Sequence, residues 1–435
     1  MTRKLLSLCA AVLFLAACGG QKTGGVIELP VPQRPAGQQD MIQFAAEPIA
    51  DVGIGVVGLG MRGSDAVERL SFVPGCHVAA VCDLLPERAE ASIRYLNDKG
   101  IEAHSYSGEE ESYKALCEDP AVDLVYICTD WLHHVPVALY AMEQGKHVAI
   151  EVPSAETLQA CWDLVNTSER TRKHCMILEN CCYDFFELTA LTMAQAGVFG
   201  EIIHAEGAYN HNLDPFWKAY WNNWRLDFNS KNRGDLYPTH GFGPVCQALN
   251  IHRGDRLTTL VAMDTDPFNG PKHAKAAGME DKPFAHGDVT TTMLRTEKGK
   301  TILIEHDVMT PRPYSRMYQL VGTQGYAAKY PVPQICLWQD GEEVIYEGEQ
   351  LKALMAPYDT AGLPAELLPA VQEVDAKHEG MDLLMDYRLI QALREGRPLD
   401  MDVYDLAEWC ALAPLSLLSI ENGGAPVEFP QFVRE

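Results

Sequence analysis

The most informative chemical feature of the sequence is a glycine-rich turn. Gly58, Gly60 and Gly63 are spaced Gly-x-Gly-x-x-Gly, directly after the strand-like residues 54–57 and before a helical pattern. Such glycines permit a tight turn and a close approach of the backbone to a pyrophosphate, which the N–H groups at the helix N terminus attract. The context indicates a dinucleotide site rather than an ordinary glycine-rich loop without a ligand.

An acidic residue indicates which dinucleotide binds there. Asp83 stands 20 residues beyond Gly63, at the end of the next strand-like run. A carboxylate at this position accepts hydrogen bonds from ribose hydroxyls and repels a 2′-phosphate. The sequence therefore predicts NAD, rather than NADP, as the cofactor.

Two further strand ends point to the same crevice. Residues 129–134 follow the strand-like run 123–128, and Glu151-Val152-Pro153 follows the run 147–150. Ligands of open α/β sheets bind at the carboxyl ends of the strands, so these residues are expected beside the nicotinamide half. For one of the two histidines, His133 and His134, helix capping or surface exposure is the alternative.

Strand-like runs and helical patterns alternate strictly in the first half of the chain. Strict alternation predicts βαβ units and a parallel sheet. We predict an α/β Rossmann domain over residues 49–183, with strands at 54–57, 77–82, 123–128, 147–150 and 175–178, and helices at 64–70, 86–98, 109–117, 133–144 and 155–172.

The rhythm changes in the remainder of the chain, where alternating apolar and polar residues are typical of antiparallel strands. We predict a second, α+β domain over residues 184–435, with an open and mostly antiparallel sheet. Its predicted helices are 184–196, 381–394 and 403–419, its strands are 202–209, 290–296, 301–306, 317–321 and 335–339, and residues 210–240 are expected to be irregular.

The N terminus carries a targeting pattern. Arg3 and Lys4 precede an apolar run that ends in Leu-Ala-Ala-Cys at Cys18. Residues 1–17 resemble a bacterial lipoprotein signal peptide, which implies lipidation of Cys18 and an extracytoplasmic protein anchored to a bacterial membrane. An ordinary secretory signal with a chance cysteine is the alternative. Residues 18–48, rich in Gly, Pro and Gln, are predicted to be a tether that becomes ordered as it meets the domain.

Composition excludes some classes of function. The formal net charge of -25 disfavours nucleic-acid binding, and no basic stripe counters it. Of 13 cysteines, those in strand-like runs are interpreted as small buried side chains, and no Cys/His spacing indicates a metal site. The oligomeric state is not readable, although an exposed face of an open sheet often pairs with a second copy.

Four motifs together resemble a known family. They are Glu151-Val152-Pro153 and residues 179–183, 234–241 and 306–316. In this order they resemble glycoside hydrolase family 109, the NAD-dependent α-N-acetylgalactosaminidases, within the glucose–fructose oxidoreductase and inositol dehydrogenase superfamily. Most of that superfamily has a catalytic lysine where this chain has Val152, which argues against simple dehydrogenase chemistry.

The resemblance implies hydrolysis through a transient oxidation. Retained NAD⁺ takes a hydride from C3 of the sugar, and the ketone acidifies the C2 proton. Loss of that proton expels the anomeric group, water adds, and the hydride returns to C3. Direct attack with two carboxylates, the common glycosidase scheme, is not used.

The resemblance also implies roles for individual residues. His240 is expected to be the base for the C3 hydroxyl, and Tyr237 a donor or acid/base group, because imidazole and phenol are suited to proton transfer. Arg225 and tyrosines supply donors and stacking faces for a sugar. Substrate contacts are expected from Tyr209, Arg225, Tyr237 and Tyr314, and cofactor contacts from Gly58, Gly60, Met61, Arg62, Gly63, Asp83, Trp131, His134, Glu151, Val152 and Asn180.

Two other functions stay open at this stage. One is an NAD-dependent dehydrogenase of a free sugar or cyclitol, and the other is a catalytically silent sugar-binding lipoprotein. An enzyme that retains its NAD and returns it oxidised suits an extracytoplasmic location, where free NAD is scarce. The residues by themselves select neither the anomer nor the C4 epimer of the sugar.

Overall fold

The computed structural model describes residues 21–23, 25–279 and 283–434. The predicted signal peptide and Cys18 lie outside the described residues. The chain enters the fold through two short antiparallel strands, β1 (Gln21–Thr23) and β2 (Val26–Glu28). The rest of the chain forms two sheets, and α-helices pack between them.

The first sheet is a Rossmann sheet of six parallel strands. Its strand order, β5-β4-β3-β6-β7-β8, is that of a dinucleotide-binding fold. The predicted alternation is confirmed, and the elements are β3 (Val52–Val57), α1 (Met61–Leu70), β4 (Cys76–Asp83), α2 (Pro86–Asp98), β5 (His104–Ser107), α3 (Ser112–Glu118), β6 (Leu124–Ile127), α4 (Trp131–Glu143), β7 (His147–Ile150), α5 (Leu158–Thr171) and β8 (Cys175–Ile177).

One strand of this sheet is missing from the sequence-based prediction. β5 lies at the edge of the sheet, and its side chains are exposed or half-buried. An edge strand with polar residues lacks the apolar run that identifies a buried parallel strand. Backbone pairing with β4, from Ala80–His104 to Asp83–Ser107, is what makes it a strand.

The second sheet has eleven strands and is mostly antiparallel, as predicted. Its order is β1-β2-β17-β10-β11-β12-β9-β13-β14-β15-β16, with parallel pairing between β9 and β12 and between β2 and β17. The elements are α6 (Phe185–Gln195), β9 (Ile202–Asn210), α7 (Trp224–Lys231), α8 (Thr239–Ala248), β10 (Leu257–Asp264), α9 (Gly270–Ala276), β11 (Val289–Thr296), β12 (Thr301–Asp307), β13 (Gln319–Gly322), β14 (Gly325–Ala328), β15 (Gln334–Gln339), β16 (Glu342–Glu347), α10 (Gly348–Met355), α11 (Leu368–Val374), α12 (Met381–Glu395), α13 (Val403–Glu421) and β17 (Val427–Glu428).

The stretch predicted to be irregular, residues 210–240, instead contains α7 and the first turn of α8. α7 starts after two asparagines in the left-handed region, Asn222 and Asn223, and it lacks a clear apolar period. Its aromatic residues pack on the first domain, since Trp224 and Phe228 each lie about edge-on to Trp131, with ring centroids 5.3 and 5.1 Å away. Tertiary contacts therefore form this helix where local pattern does not.

Two C-terminal helices connect the sheets. α13 is long and apolar enough to cross a membrane by length and composition alone, but most of it is buried against α5, β8 and β10. α12 returns to the Rossmann domain and packs on α1 and β3. On α12, the buried Asp386 accepts hydrogen bonds from Arg69 of α1 at 2.9 Å and from Tyr126 of β6 at 2.8 Å.

Part of the predicted tether, residues 26–34, contacts the folded domains. β2 pairs with β17, and Arg34 donates to the buried Glu169 of α5 at 3.2 Å. Glu169 also accepts from Tyr404 at 2.7 Å and from Arg434, near the C terminus, at 2.7 Å. One buried carboxylate therefore joins the N-terminal segment, α5 and α13.

The eleven cysteines among the described residues are free thiols, and most are buried. Burial raises the pKa of Cys181 and Cys182 well above that of an ordinary thiol. A buried thiol with a raised pKa is protonated and unreactive. The adjacent pair Cys181-Cys182 therefore consists of buried packing residues.

A buried ion cluster near the start of α13 predicts a pH dependence of stability. His252, whose side chain is 2% exposed, lies 2.8 Å from Glu408, 3.5 Å from Asp402 and 3.9 Å from Asp405. Arg253 also pairs with Asp402 and Asp405. Burial by itself would lower the pKa of His252, but the charges of Glu408, Asp405 and Asp402 raise it well above 6.5.

We expect His252→Gln to lower the free energy of unfolding by about 3 kcal/mol near pH 6, because Glu408 loses its buried partner. A histidine with a raised folded-state pKa stabilises fully below its unfolded pKa, and this contribution is lost as pH rises through the folded pKa. The difference from wild type in urea titrations should therefore shrink as the pH is raised above about 6.5, the ordinary histidine pKa. His77→Gln, at the exposed pair with Asp51, is the matched control. A difference that grows with pH would contradict the assignment.

Candidate active site

The glycine turn is built for close contact at two positions and is open at the third. A Cβ atom on Gly63 would lie 1.7 Å from the carbonyl oxygen of Gly58, and Gly58 has a φ of +88°. A Cβ on Gly60 would meet nothing closer than Arg88 Nη1, at 3.7 Å. No side chain caps α1 at Gly60, so its first N–H groups are available to a ligand. This open cradle fits a pyrophosphate.

Asp83 is fixed beside this turn. Its carboxylate accepts from the backbone N–H of Leu59 at 2.6 Å and of Leu85 at 2.8 Å, and Arg88 Nη1 lies 3.7 Å away. These contacts hold the carboxylate at the end of β4, where it borders the cavity. Its location fits recognition of the ribose hydroxyls.

One cavity runs from this turn to residues 219–221, α7 and Tyr237 of the second half of the chain. Leu84, Leu85, Arg88 and Tyr113 border one part of it, and Tyr220, Trp221 and Trp224 another. The predicted site residues that line it are Gly58, Gly60, Met61, Arg62, Asp83, Trp131, His134, Glu151, Val152, Arg225 and Tyr237. Gly63, Asn180, Tyr209, His240 and Tyr314 lie outside its lining.

His134 connects the two strand-end loops that form the floor of the cavity. Its ring is 1% exposed, and its two nitrogens lie 2.9 Å from the carbonyl oxygen of Pro153 and 3.1 Å from that of Thr129. His133, the other of the two histidines, is half-exposed and also borders the cavity, and its Nδ1 lies 2.8 Å from the carboxylate of Asp130, the N-cap residue of α4. His134 therefore orients Val152 and its neighbours through the backbone.

Arg225 is a buried cation surrounded by aromatic rings. Its guanidinium carbon lies 4.8 Å from the ring centre of Tyr237, 5.0 Å from Trp131 and 5.3 Å from Tyr220. It donates to the hydroxyl of Tyr220 at 2.7 Å, and its Nε has no partner among the described residues. Because no described carboxylate pairs with it, Arg225 has donors free for an oxygen of a bound sugar.

The proton-transfer groups form a chain behind Tyr237. Glu179 is fully buried, and its Oε1 lies 2.6 Å from Nδ1 of His240. That contact assigns the proton to Nδ1 and leaves Nε2 as an acceptor, 3.4 Å from the hydroxyl of Tyr237. The arrangement is that of a general base oriented by a carboxylate.

The electrostatics agree with these roles. Burial by itself would raise the pKa of Glu179, but the adjacent His240 and the hydrogen bond from the Cys181 backbone lower it. Burial raises the pKa of Tyr237 well above its ordinary value, and the nearby Tyr209 adds to this rise. Glu179 is therefore ionised and Tyr237 is a neutral hydrogen-bond donor.

Close backbone packing brings His240 to this position. α8, which carries His240 in its first turn, lies directly on β9, which carries Tyr209. A Cβ on Gly241 would lie 2.2 Å from the backbone nitrogen of Ala208, and a Cβ on Gly207 would lie 2.2 Å from the carbonyl oxygen of Gly241. These two glycines let the helix approach until the Tyr209 and His240 rings are 5.1 Å apart.

A row of rings continues from Tyr237 to the surface. Tyr209 lies 4.5 Å from Tyr237, between ring centres, and its hydroxyl is 2.9 Å from Nδ1 of His211. His211 in turn lies 5.1 Å from Tyr314, which is 41% exposed and accepts from Arg316 at 2.9 Å. The predicted substrate residues are thus neighbours, with Tyr314 at the outer end.

Several residues of the site were not predicted. Glu179 directly follows a strand run, and the rule that chemistry lies at strand ends could have identified it. Tyr220, Trp221 and Trp224 line the cavity, but no local signal distinguishes them from Trp217, which is buried. Asn180, which is predicted to contact the cofactor, donates through its side chain to Asp382 of α12 at 2.7 Å.

Comparison with known proteins is consistent with this geometry. Residues 183–435 match the model of the glycosyl hydrolase 109 C-terminal domain, and residues 52–179 match the oxidoreductase family NAD-binding Rossmann fold. The chain belongs to glycosyl hydrolase family 109. The recognition made from the four motifs is confirmed, and this family member is an NAD-dependent glycosidase.

Relatives cover nearly the whole chain. The glycosyl hydrolase family 109 protein 1 of Bacteroides thetaiotaomicron is 57% identical over 94% of this chain and 90% of its own length. The glycosyl hydrolase family 109 protein of Porphyromonas gingivalis is 54% identical, over 99% of this chain and 96% of its own.

Solved structures share the fold at low sequence identity. Levoglucosan dehydrogenase in complex with NADH and L-sorbose has a TM-score of 0.68 and 18% identity, and covers 88% of this chain and 100% of its own. An oxidoreductase from Agrobacterium radiobacter in complex with NAD⁺ has a TM-score of 0.62 and 19% identity, over 87% of this chain and 98% of its own. These structures confirm the two-sheet architecture.

The open cradle at Gly60 predicts a separation of folding from cofactor binding. Gly60→Ala should leave the stability of the nucleotide-free protein within about 1 kcal/mol, because its Cβ has space and its φ is -70°. NAD affinity should fall roughly tenfold or more, since the methyl group enters the space for the pyrophosphate. Calorimetric titration with NAD checks this, with Gly362→Ala, at an open surface position, as the control. Unchanged affinity would place the pyrophosphate elsewhere.

Proposed function

We propose that this enzyme hydrolyses terminal N-acetylgalactosaminides in α linkage through a transient oxidation at C3. The observation that carries the proposal is the Glu179–His240 pair, whose free Nε2 faces Tyr237 at the wall of the NAD cavity. The sugar and the anomer in this proposal are supported by the family resemblance, which is carried by residues 179–183, 234–241 and 306–316.

NAD⁺, held by the glycine turn, Asp83 and the other cavity residues, would supply the hydride acceptor for C3 and the hydride donor for the return step. His240 accepts the proton of the C3 hydroxyl at Nε2, and Glu179 stabilises the imidazolium that results. A base held by a buried carboxylate needs no reorientation at that moment. On the return step the same imidazolium gives its proton back to the oxygen at C3.

Tyr237 and Arg225 act on the oxygens of the sugar ring. The neutral hydroxyl of Tyr237 donates a hydrogen bond to the oxygen at C3 as the C2 proton is lost and negative charge develops there. The guanidinium carbon of Arg225 lies 4.8 Å from the ring centre of Tyr237, and no described carboxylate neutralises its charge. This positive charge adds to the stabilisation of the negative charge that develops on the sugar oxygen. Donors aimed at developing charge in a dry site are the main source of such stabilisation.

Val152 supports hydrolysis over net dehydrogenation. It lines the cavity directly after Glu151, at the position where most of the superfamily has a catalytic lysine. An apolar, buried side chain there offers no proton-transfer group. His240, whose Nε2 lies 3.4 Å from the hydroxyl of Tyr237, is then the base of the site.

The activity test uses p-nitrophenyl α-N-acetylgalactosaminide and protein that lacks residues 1–17, without added NAD. We expect wild type to release the aglycone, His240→Ala to lose at least about 10³-fold in kcat, and Glu179→Gln roughly 10²-fold, because the imidazole loses its orientation. The control is His77→Ala, in the half-exposed pair with Asp51, at the opposite end of β4 from Asp83. This variant should match wild type.

Each other outcome has a definite meaning. No release by the folded protein, even with NAD supplied, would reject the substrate, and β-anomers and other hexosamines would be tested next. Accumulation of NADH with a free sugar or cyclitol would favour the dehydrogenase. Equal activity of His240→Ala and wild type would remove His240 from the chemistry.

We also propose that the enzyme is an extracytoplasmic lipoprotein, anchored to a bacterial membrane through Cys18. The support is the sequence pattern of residues 1–18. In a bacterial host, full-length protein should sediment with membranes and be released by detergent, whereas Cys18→Ala should not be lipidated. Cys9→Ala, inside the predicted signal, is the matched control. Lipid-free wild type would indicate an ordinary secretory signal.

A further inference from the structure

A carboxylate from the C-terminal half of the chain reaches the cofactor site. Asp382 lies in the first turn of α12 and is 1% exposed. Its partners come mainly from the Rossmann half. It accepts from Arg62 Nη1 at 2.8 Å and Nη2 at 3.2 Å, and from Asn180 at 2.7 Å.

The two residues that Asp382 holds are the ones that the resemblance assigns to NAD. Arg62 lies in the first turn of α1, two residues after Gly60, and lines the cavity. Its Nε donates to Glu151 at 2.8 Å, so the guanidinium is fixed between two carboxylates. Bidentate pairing of an arginine sets its orientation as well as its position.

The surrounding charges show that Asp382 is ionised in this role. Its other neighbours are His378, with Nδ1 at 2.7 Å, and Arg69, with Nη1 at 3.5 Å. Burial by itself would raise the pKa of Asp382, but the charges of Arg62 and Arg69 hold it well below the ordinary range. The same cations make the cluster of Asp375, His378 and Asp382 unsuited to a metal ion.

We propose that Asp382 is a positioning residue of the cofactor site, which retains NAD by fixing Arg62 at the N terminus of α1 and Asn180 behind it. The cofactor site is then complete only when α12 is docked on the Rossmann domain. Retention of NAD through each turnover is therefore coupled to the packing of the two halves. This inference rests on NAD as the cofactor and is independent of the sugar.

A matched pair of variants separates positioning from general stability. Asp386 is the next buried carboxylate on the same face of α12, one turn after Asp382, and it pairs with Arg69 and Tyr126 rather than with cavity residues. Asp382→Asn and Asp386→Asn each remove one buried charge without a change of shape. Both should lower the melting temperature of the protein.

The experiment measures NAD binding to nucleotide-stripped protein, followed by tryptophan fluorescence, because Trp131 and Trp224 line the cavity. We expect Asp382→Asn to weaken NAD binding at least about tenfold, as for other residues that orient a ligand through a neighbour. Asp386→Asn should change it less than about threefold. Purified Asp382→Asn should also carry less bound NAD than wild type.

A double-mutant cycle tests the route. If Asp382 acts through Arg62, then Asp382→Asn adds little further loss of NAD affinity in an Arg62→Ala background. Additive losses, or equal losses from Asp382→Asn and Asp386→Asn, would overturn the proposal.

If Asp382→Asn does not fold, Asp382→Glu keeps the charge and displaces it by one methylene, and it is measured in the same way. No substrate is present, so failure of the glycosidase proposal leaves this test intact.

Discussion

The structure depends on a set of ion pairs buried between α12 and the Rossmann domain. Arg62 and Arg69 of α1 face Asp382 and Asp386 of α12, and Asn180 completes the contact. Charges removed from water are favourable only when every partner is present and well oriented. These pairs therefore favour one docking of α12 on the Rossmann domain, beside the cavity that Arg62 lines.

The second constraint is the approach of α8 to β9. Gly207 and Gly241 remove the side chains that would keep the helix from the strand. His240 then lies on the buried Glu179 and beside Tyr209, so that its orientation is fixed by packing before any substrate binds. Preorganisation of this kind is a main source of catalytic strength in an enzyme site.

Cofactor retention links these two features to the proposed chemistry. A cycle that begins and ends with NAD⁺ needs the nucleotide to stay while glycans enter and leave. Residues 219–221 and Trp224 of the second half line the same cavity as Asp83 and Arg88 of the first. The cofactor is thus enclosed by both halves, which suits an enzyme proposed to act where free NAD is scarce.

The sequence by itself determined the features that depend on local spacing. The glycine turn, Asp83, the alternation of the Rossmann domain and the motif that contains Tyr237 and His240 are all readable, because three or more neighbouring residues carry each signal. Only the tertiary structure decided the pairs, since Glu179 and His240 are 61 residues apart and Arg62 and Asp382 are 320 apart. α7 and β5 also depended on the tertiary structure, because neither has a clear local period. Contacts with Trp131 form α7, and backbone pairing with β4 forms β5.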